Sequence, residues 1–175
     1  QPAEAKAGDV VLLIAVSADG GSPDTPAGFT KIGVEHSNSS AFAYQLVDAD
    51  IGTGSISLTA TGGTIAGHWY IWITGCSLTD AVNAWDFIET ASGTTHASSL
   101  TTDADNTLLV ALIGTASAPT WTPPSGWTEY DDSNGGTSAT KKQATKGATG
   151  TVTFTSSTSQ TARFLLVAFN PPDIV

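Results

Sequence analysis

The chain alternates short apolar runs with polar stretches, and no run keeps a helical period. Residues 55–59 and 151–155 alternate apolar and hydroxyl side chains strictly, which is the two-residue period of a half-buried strand. Residues 10–16, 69–73 and 164–169 are continuous apolar runs that are too short for typical helices. Such runs predict strands buried on both faces. The pattern as a whole therefore predicts an all-β fold.

Turn signals separate the predicted strands. Pro-x-Gly sequences at residues 26–28 and 124–126 indicate turns. Asn134 and Gly135 both tolerate a positive φ and lie between residues 127–130 and 138–141, which predicts a two-residue β-hairpin turn. The only departure from strands and turns that we expect is a short helical turn at residues 81–88.

The same features recur in the same order in the two halves of the chain, which indicates an internal repeat. The matched segments are residues 9–16 with 105–112, 25–30 with 123–128, 40–45 with 138–143, 54–59 with 150–155, and 69–73 with 164–168. We therefore expect an internally duplicated antiparallel β-sandwich, jelly-roll-like, with repeats at about residues 8–75 and 105–170.

The repeats predict either one fused sandwich or two small sandwiches in tandem. A unit of this size buries a marginal share of its surface by itself, and strands that are apolar on both sides need cover on their second face. We therefore predict a single domain over residues 1–175, in which a linker at residues 76–104 packs between or beside the two halves.

Charge argues against polyanionic partners. The 175 residues carry a formal net charge of −10, and only 13% of them are charged. Binding to nucleic acid requires clustered basic residues that displace phosphate counterions, and here only Lys141, Lys142 and Lys146 cluster. We expect no nucleic-acid partner and no membrane partner, since no run approaches the length of a transmembrane helix.

The sequence lacks the common signatures of catalysis. His36, His68 and His96 lie far apart and form no pair at metal-ligand spacing. There is neither a Gly-x-Ser-x-Gly elbow nor a glycine-rich nucleotide loop. Cys76 follows Gly75 at the end of an apolar run, which predicts a small buried residue rather than a nucleophile. We predict that the protein is not an enzyme and needs no cofactor.

Close carboxylates are weak candidates for calcium ligands. Asp103 and Asp105 form one such pair, and Asp131 and Asp132 form another. Carboxylates grouped in loops can supply the oxygen ligands that Ca²⁺ prefers. The alternative is that these are turn-forming aspartates that hydrogen-bond to nearby backbone. A glycosidase, which needs two carboxylates across a cleft, is a further alternative.

Aromatic residues near turns are the candidates for interface or ligand contacts. Trp69 and Trp72 have opposite parity on one predicted strand, so they face opposite sides, and one of them needs cover from the linker, the other half or a neighbouring chain. Trp121, Trp127 and Tyr130 lie near turns, where they could stack on sugar rings or anchor an interface. The alternative for Trp121 is a side chain folded back over the edge of the sandwich. The candidate set is therefore Trp72, Trp121, Trp127 and Tyr130.

The order of the repeated motifs resembles a group of tailed-bacteriophage virion proteins with β-sandwich folds, which include capsid decoration and tail-associated proteins. The residues that carry the resemblance are Gly8, Asp9, Pro26, Gly28, Phe29, Pro124, Gly126 and Trp127. The second repeat departs from the opening pattern, because Ala104 rather than glycine precedes Asp105. These are turn and core residues, so the resemblance transfers no functional site.

The resemblance implies a non-enzymatic capsid decoration, or cement, protein that braces the outer shell of a tailed phage. It also implies a location at the virion surface, outside the host cell. The implied partners are the major capsid protein or other virion proteins, with a homo-oligomer, most often a trimer, as the assembled form. The aromatic residues near turns favour the alternative, a carbohydrate-binding or adhesin module of a tail fibre or bacterial surface protein.

Overall fold

The computed structural model describes residues 9–18, 21–35, 39–45, 56–77 and 79–172. Within these ranges the protein is all-β, has no helix, and pairs its strands antiparallel, as the sequence predicts. The chain divides into two compact units, one formed by Gln1–Ala81 with Asn170–Val175 and the other by Val82–Phe169. The single domain remains a prediction.

The first unit contains a four-stranded antiparallel sheet. Its described strands are β1 (Val10–Ser17), β2 (Ser22–Pro23), β3 (Thr30–Glu35), β4 (Ser39–Gln45), β5 (Ala60–Thr61) and β6 (Ile65–Ile73). The sheet order is β3-β4-β1-β6, and β2 pairs separately with β5. Strand β1 is buried on both faces over nearly its whole length, which confirms the prediction from its apolar run.

Strand β6 contradicts the prediction that residues 69–73 are buried on both faces. Most of its side chains are partly or fully exposed, and Tyr70 is 64% exposed. Among the described strands β6 pairs only with β1, so it lies at the edge of the sheet. This apolar run is therefore part of an edge strand. Its burial depends on neighbouring strands, which the sequence of the run does not specify.

The predicted strand at residues 55–59 is also wrong in its described part. Residues 56–59 have no strand pairing, although the amide of Asp24 donates a hydrogen bond to the carbonyl oxygen of Thr59 at 2.9 Å. The matched segment of the second unit does form strand, as predicted. The difference shows that strict alternation was not sufficient without a partner strand.

The second unit contains a larger antiparallel sheet. Its strands are β7 (Val82–Ser98), β8 (Thr101–Thr102), β9 (Thr107–Gly114), β10 (Trp121–Thr122), β11 (Thr128–Ser133), β12 (Gly136–Gln143), β13 (Gly147–Ala148) and β14 (Val152–Phe169). The order is β10-β14-β9-β12-β11, with β7 also paired to β14, while β13 pairs with β8.

Strand β7 corrects one expectation about the middle of the chain. The helical turn predicted at residues 81–88 is wrong, and the predicted linker at residues 76–104 contains this 17-residue strand. The cause is its partner: β7 runs antiparallel to β14 along nearly the whole length of both strands, from Val152 opposite Ser98 to Phe169 opposite Val82.

Strand β14 supplies much of the core of the second unit. Phe154 and Phe164 are fully buried with their rings 5.5 Å apart in an edge-to-face arrangement. Residues 164–169 are buried on both faces, as their apolar run predicts. The other buried members of this core are Leu100, Leu109, Ala111, Ile113, Trp121, Ala139, Val152, Ala162, Leu166 and Ala168.

The hairpin predicted at Asn134 and Gly135 is confirmed. These two residues connect β11 to β12, and their φ angles are 49° and 78°. Positive φ at both central positions is the geometry of a type I′ turn, whose twist matches that of paired strands. The local sequence was sufficient here because the turn depends on two adjacent residues alone.

The two units repeat one turn and one strand order. In the first unit the amide of Phe29 donates to the carbonyl oxygen of Pro26 at 3.0 Å, and in the second the amide of Trp127 donates to Pro124 at 3.2 Å. Each turn contains a glycine at positive φ, Gly28 at 83° and Gly126 at 82°. The turns lead into edge strands of sheets ordered β3-β4-β1-β6 and β11-β12-β9-β14. Four of the five matched segment pairs thus occupy corresponding places in the two sheets, whereas residues 54–59 and 150–155 do not, since residues 56–59 form no strand.

Candidate functional site

Exposed aromatic side chains on edge strands are the candidate contact residues of each unit. In the described part of the chain the exposed large hydrophobic residues are Tyr70 at 64%, Trp85 at 47% and Tyr130 at 67%. They lie on β6, β7 and β11, each of which pairs with a single strand among those described. An edge strand leaves backbone N–H and C=O groups without a partner in its sheet, and those groups can pair with another chain. Aromatic anchors and pairing-competent backbone therefore occur on the same three strands.

Sequence reasoning identified only one of these three residues. Tyr130 was a candidate because it lies near a turn, whereas Tyr70 and Trp85 were missed. No local signal could have found them, since the pattern of a strand does not say whether the strand lies at an edge. A tyrosine within an apolar run, such as Tyr70, is expected to be buried unless the pairing of the strands shows that its strand lies at an edge.

Trp121 is not part of an exposed surface. Its side chain is 2% exposed, and its ring lies edge-on to the imidazole of His96 with centroids 5.2 Å apart. Its backbone amide donates a hydrogen bond to Oδ2 of Asp132 at 3.1 Å. The interpretation of Trp121 as a ligand-stacking residue is therefore wrong, and the alternative of a side chain folded back over the strands is correct.

Trp72 and Trp127 are both half-buried and have structural contacts. Nε1 of Trp72 donates a hydrogen bond to Oδ2 of the buried Asp9 at 3.3 Å. Trp127 packs against the core of the second unit, edge-on to Phe154 with ring centroids 5.9 Å apart. Each ring presents only part of its surface, so both are secondary to the exposed aromatic residues as contact candidates.

A buried histidine lies beside Trp121. His96 is fully buried on β7; its Nδ1 lies 2.6 Å from Oγ1 of Thr90, and its Nε2 lies 3.2 Å from Oγ of Ser156. The Ser156 hydroxyl in turn donates to the carbonyl oxygen of Thr158 at 2.9 Å. The Thr90 hydroxyl likewise donates to the carbonyl oxygen of Ala162 at 3.3 Å. Each ring nitrogen therefore lies beside a hydroxyl group that also reaches a backbone carbonyl oxygen.

Burial favours the neutral form of His96. Burial lowers the pKa of the imidazole below its ordinary value of 6.5, and a backbone hydrogen bond to Gly93 opposes that shift. No described carboxylate is hydrogen-bonded to the ring. His96 is a structural core histidine rather than an acid or base facing solvent. The other two histidines give no cluster with it, because His68 is exposed on β6 and His36 lies outside the described residues.

We expect the stability of the protein to fall as the pH drops below about 6.5. The unfolded chain takes up a proton at His96 near that pH, whereas the folded protein does so only at a lower pH, so acid favours unfolding until the folded pKa is passed. One proton limits this slope to about 1.4 kcal/mol per pH unit. Urea unfolding between pH 8 and pH 5 measures it.

The matched control for this prediction is the exposed histidine of β6. His96→Gln should lose this part of the pH dependence, although it lowers stability at every pH, and His68→Gln should retain the pH dependence of the unchanged protein. An equal slope in the unchanged protein and in His96→Gln would contradict the assignment of the effect to His96.

Asp103 and Asp105 take part in local hydrogen bonds. The side chain of Asn83 donates to Oδ1 of Asp103, and the amide of Asp103 donates to Oδ1 of Asn83 at 3.1 Å. Oδ1 of Asp105 accepts from the amide of Lys146 at 2.7 Å. These contacts support the interpretation of both residues as aspartates that organise loops.

Asp131 and Asp132 also accept hydrogen bonds from nearby groups of the protein. Asp131 accepts from the hydroxyl of Ser133 at 2.9 and 3.0 Å, and Asp132 accepts from the amide of Trp121. Over the ranges that the structure describes, no group of three His, Cys, Asp or Glu side chains is arranged to hold a metal ion. The calcium hypothesis therefore gains no geometric support from these residues.

Cys76 is buried, as the sequence predicts. Burial raises the pKa of its thiol to about 12, and the negative charge of Asp9 acts in the same direction. The thiolate, which is the reactive form, is therefore scarce near neutral pH.

The exposed large hydrophobic residues of the described chain are thus aromatic and lie on edge strands. His96, Cys76 and the candidate aspartates are instead buried or take part in internal hydrogen bonds. No helix among the described residues is long and apolar enough to cross a membrane. Comparisons of the chain with protein-family models, with curated proteins and with solved structures find no match.

Proposed function

We propose that this chain is a non-enzymatic structural protein of a virion, a capsid decoration protein that braces the outer shell of a tailed phage. The observation that carries the proposal is the position of Tyr70, Trp85 and Tyr130, exposed on three edge strands. Its partners are the major capsid protein or other virion proteins, and its assembled form is a homo-oligomer, a trimer. The virion setting itself rests on the sequence resemblance.

Aromatic side chains suit this role because tyrosine and tryptophan are enriched in protein interfaces and often dominate their binding energy. The chain offers few charged groups for nonspecific binding to other molecules, since only 13% of its residues are charged and its net charge is −10. That negative charge keeps free copies apart in solution until specific contacts form. Together these properties favour docking on a complementary shell over nonspecific association.

The buried polar groups support a role without catalysis. His96 is enclosed and bonded to two hydroxyls, and the thiol of Cys76 has a raised pKa. Both side chains are buried away from solvent. The jelly-roll arrangement, the duplication and the location at the virion surface remain predictions within this proposal.

Binding to capsid shells tests the proposal. The purified protein should co-sediment with shells assembled from the major capsid protein of the same phage, and light scattering should give the mass of a trimer. At least one of Tyr70→Ala, Trp85→Ala and Tyr130→Ala should weaken shell binding about tenfold or more, which corresponds to the loss of about 1.4 kcal/mol at an interface hot spot. Ser159→Ala, at an exposed hydroxyl, is the control. A stable monomer that joins no particle would refute the proposal.

One observation favours the second candidate, a carbohydrate-binding or adhesin module. Tyr130 is 67% exposed and lies between Glu129 and Asp131 on β11. Sugars are commonly held by an aromatic ring together with polar groups at its margin. Glycan-array binding that is abolished by Tyr130→Ala and retained in Tyr70→Ala would establish this function. An array without any bound glycan would remove it.

A further inference from the structure

The ladder between β7 and β14 is interrupted by a bulge. Thr155 pairs with Thr95, and the next recorded pair is Gln160 with Gly93, so residues 156–159 of β14 lie opposite a single residue of β7. A bulge leaves its extra residues without partners in the ladder and bends the strand that carries them. The bulge of β14, as we call residues 156–159, is therefore held by contacts outside this ladder.

Strand β10 holds one side of the bulge. It consists of Trp121 and Thr122, and Trp121 pairs with Ser156. The amide of Ser157 donates to the carbonyl oxygen of Thr120, and its Oγ accepts from the Thr120 amide, both at 2.9 Å. A two-residue strand is attached through few backbone hydrogen bonds, so it can separate from the sheet at a lower free-energy cost than the long strands.

Side chains of β10 and of the bulge enclose the imidazole of His96. Trp121 is 2% exposed and His96 is 0% exposed, and their ring centroids lie 5.2 Å apart. Ser156, the first residue of the bulge, places its Oγ 3.2 Å from Nε2 of His96. Separation of β10 and the bulge from the sheet would therefore bring the imidazole into contact with water.

No carboxylate among the described residues is hydrogen-bonded to the His96 ring. The ionisable side chains of β7 and β14, and the carboxylate of β11 that reaches β10, have other partners: Asp86 binds Ser98, Glu89 pairs with Arg163, and Asp132 binds the amide of Trp121. Strand β10 itself carries no ionisable side chain. A proton on His96 would thus add a positive charge that has no hydrogen-bonded anion within the described part of the chain.

That charge is unfavourable while the ring is enclosed. Burial lowers the pKa of the His96 imidazole, and the backbone hydrogen bond to Gly93 offsets only part of this shift. In contact with water the imidazole regains its ordinary pKa of about 6.5. A state that exposes the ring therefore binds the proton more tightly than the enclosed state does, and acid favours the exposed state.

The enclosed state also has an unfavourable feature at the tryptophan. Nε1 of Trp121 is buried, and it has no hydrogen-bond partner among the described groups. A buried N–H group without an acceptor is unfavourable, whereas the same group in water is hydrogen-bonded. The ring that covers His96 is therefore held by packing and by its backbone, and its own N–H would gain a partner on exposure.

We propose that β10 and the bulge of β14 form an acid-operated latch, which opens when His96 is protonated and closes when His96 is neutral. In the open state Trp121 and His96 contact water, while the rest of the second unit stays folded. The opening is local because the long strands keep pairings that do not involve β10, such as that of residues 163–169 with β9.

This latch goes beyond the proposed function and does not depend on it. It also differs from the acid-induced loss of overall stability, which requires no local opening. Its test uses the isolated protein without any shell or glycan, so that the latch and the proposed function can fail separately.

Hydrogen–deuterium exchange at pH 7.5 and pH 5.0 is the first measurement, with the rates converted to protection factors so that the pH dependence of chemical exchange is removed. Protection of residues 120–122 and 155–160 should fall several-fold at pH 5.0. The ceiling is about tenfold per pH unit below about 6.5, because one proton is taken up on opening. Protection of residues 108–113 and 163–169 should stay unchanged.

Acrylamide quenching of Trp121 fluorescence is the second measurement, and it requires no change at His96. The chain has five tryptophans, so the signal of Trp121 is taken as the difference between the unchanged protein and Trp121→Phe. This difference signal should be shielded from acrylamide at pH 7.5 and quenched at pH 5.0.

Two histidine variants assign the effect. Glutamine can form hydrogen bonds but takes up no proton, so His96→Gln should keep the latch closed at both pH values. His68 is exposed on β6, and His68→Gln should keep the pH response of the unchanged protein. If His96→Gln does not fold, the quenching measurement and the NMR titration of the His96 ring, with an expected midpoint below 6.5, still test the latch.

Four outcomes would overturn the proposal. The first is equal protection and equal quenching at the two pH values, and the second is a pH response that persists in His96→Gln. The third is a simultaneous loss of protection over all of Val82–Phe169, because protonation would then be coupled to unfolding of the whole unit. The fourth is an NMR midpoint for His96 at or above 6.5.

Discussion

Replacement of Phe154 by alanine is expected to lower the free energy of unfolding by about 3–5 kcal/mol, the usual cost of removing a buried phenylalanine side chain. Phe154 is fully buried, and its ring makes edge-to-face contacts with Phe164 at 5.5 Å and with Trp127 at 5.9 Å. The substitution removes apolar area from the core and leaves a cavity that two rigid aromatic neighbours cannot readily fill. Urea or thermal unfolding of the purified variant measures the loss.

The matched control is Leu58, the half-buried counterpart of Phe154 in the first unit. Leu58→Ala should cost about 2 kcal/mol or less, below the range for a fully buried leucine, because part of its surface is already in contact with water. Equal losses for Phe154→Ala and Leu58→Ala would contradict the difference in burial between the two units.

The second large effect is expected at the hairpin between β11 and β12. Gly135 has a φ of 78°, and a Cβ atom at this position would overlap the carbonyl oxygen of Ser117 and lie 2.6 Å from that of Thr115. Gly135→Ala should therefore destabilise the protein by about 3 kcal/mol, as the sum of left-handed backbone strain and steric overlap. The hydrogen bond from the Thr115 amide to the Gly135 carbonyl oxygen, 2.9 Å, should weaken with it.

Gly126 separates the two causes of that loss. Its φ of 82° is almost the same, but a Cβ there would meet no atom within 4 Å. Gly126→Ala should cost only the backbone term, about 1–2 kcal/mol. If both variants lose the same free energy in chemical denaturation, the close approach of Gly135 to the segment containing Ser117 contributes nothing.

The match between the two halves of the chain shows how far sequence similarity reaches. It identified the shared turn and the order of the segments, and both recur in the structure. It also aligned Trp69 with Phe164. Counted from Thr30 and Thr128, which both follow the shared turn, the pairing of the strands instead makes Leu165 the counterpart of Trp69. That difference of one residue places a side chain on the opposite face of the sheet. Similarity of two apolar runs cannot fix register, because register is set by the hydrogen bonds to neighbouring strands.

Local chemistry by itself determined the all-β class, the Asn134–Gly135 hairpin, the burial of β1 and the burial of Cys76. The all-β class and the hairpin depend on residues adjacent in sequence. Strand β1 is an apolar run that is buried in the fold, and Cys76 follows shortly after another apolar run. The buried polar cluster of His96 could not be predicted in this way, since Thr90 and Ser156 reach the ring from separate places in the chain.

Only the tertiary structure decided which strands lie at edges. The apolar runs at β6 and at the end of β14 look alike in sequence, yet one exposes Tyr70 and the other buries every residue from Phe164 to Phe169. The physical reason is that a strand loses its solvent exposure through neighbours on both sides, and those neighbours come from distant parts of the chain. Strand β7, which we expected to be a linker, provides that second neighbour for β14, and no described strand provides one for β6.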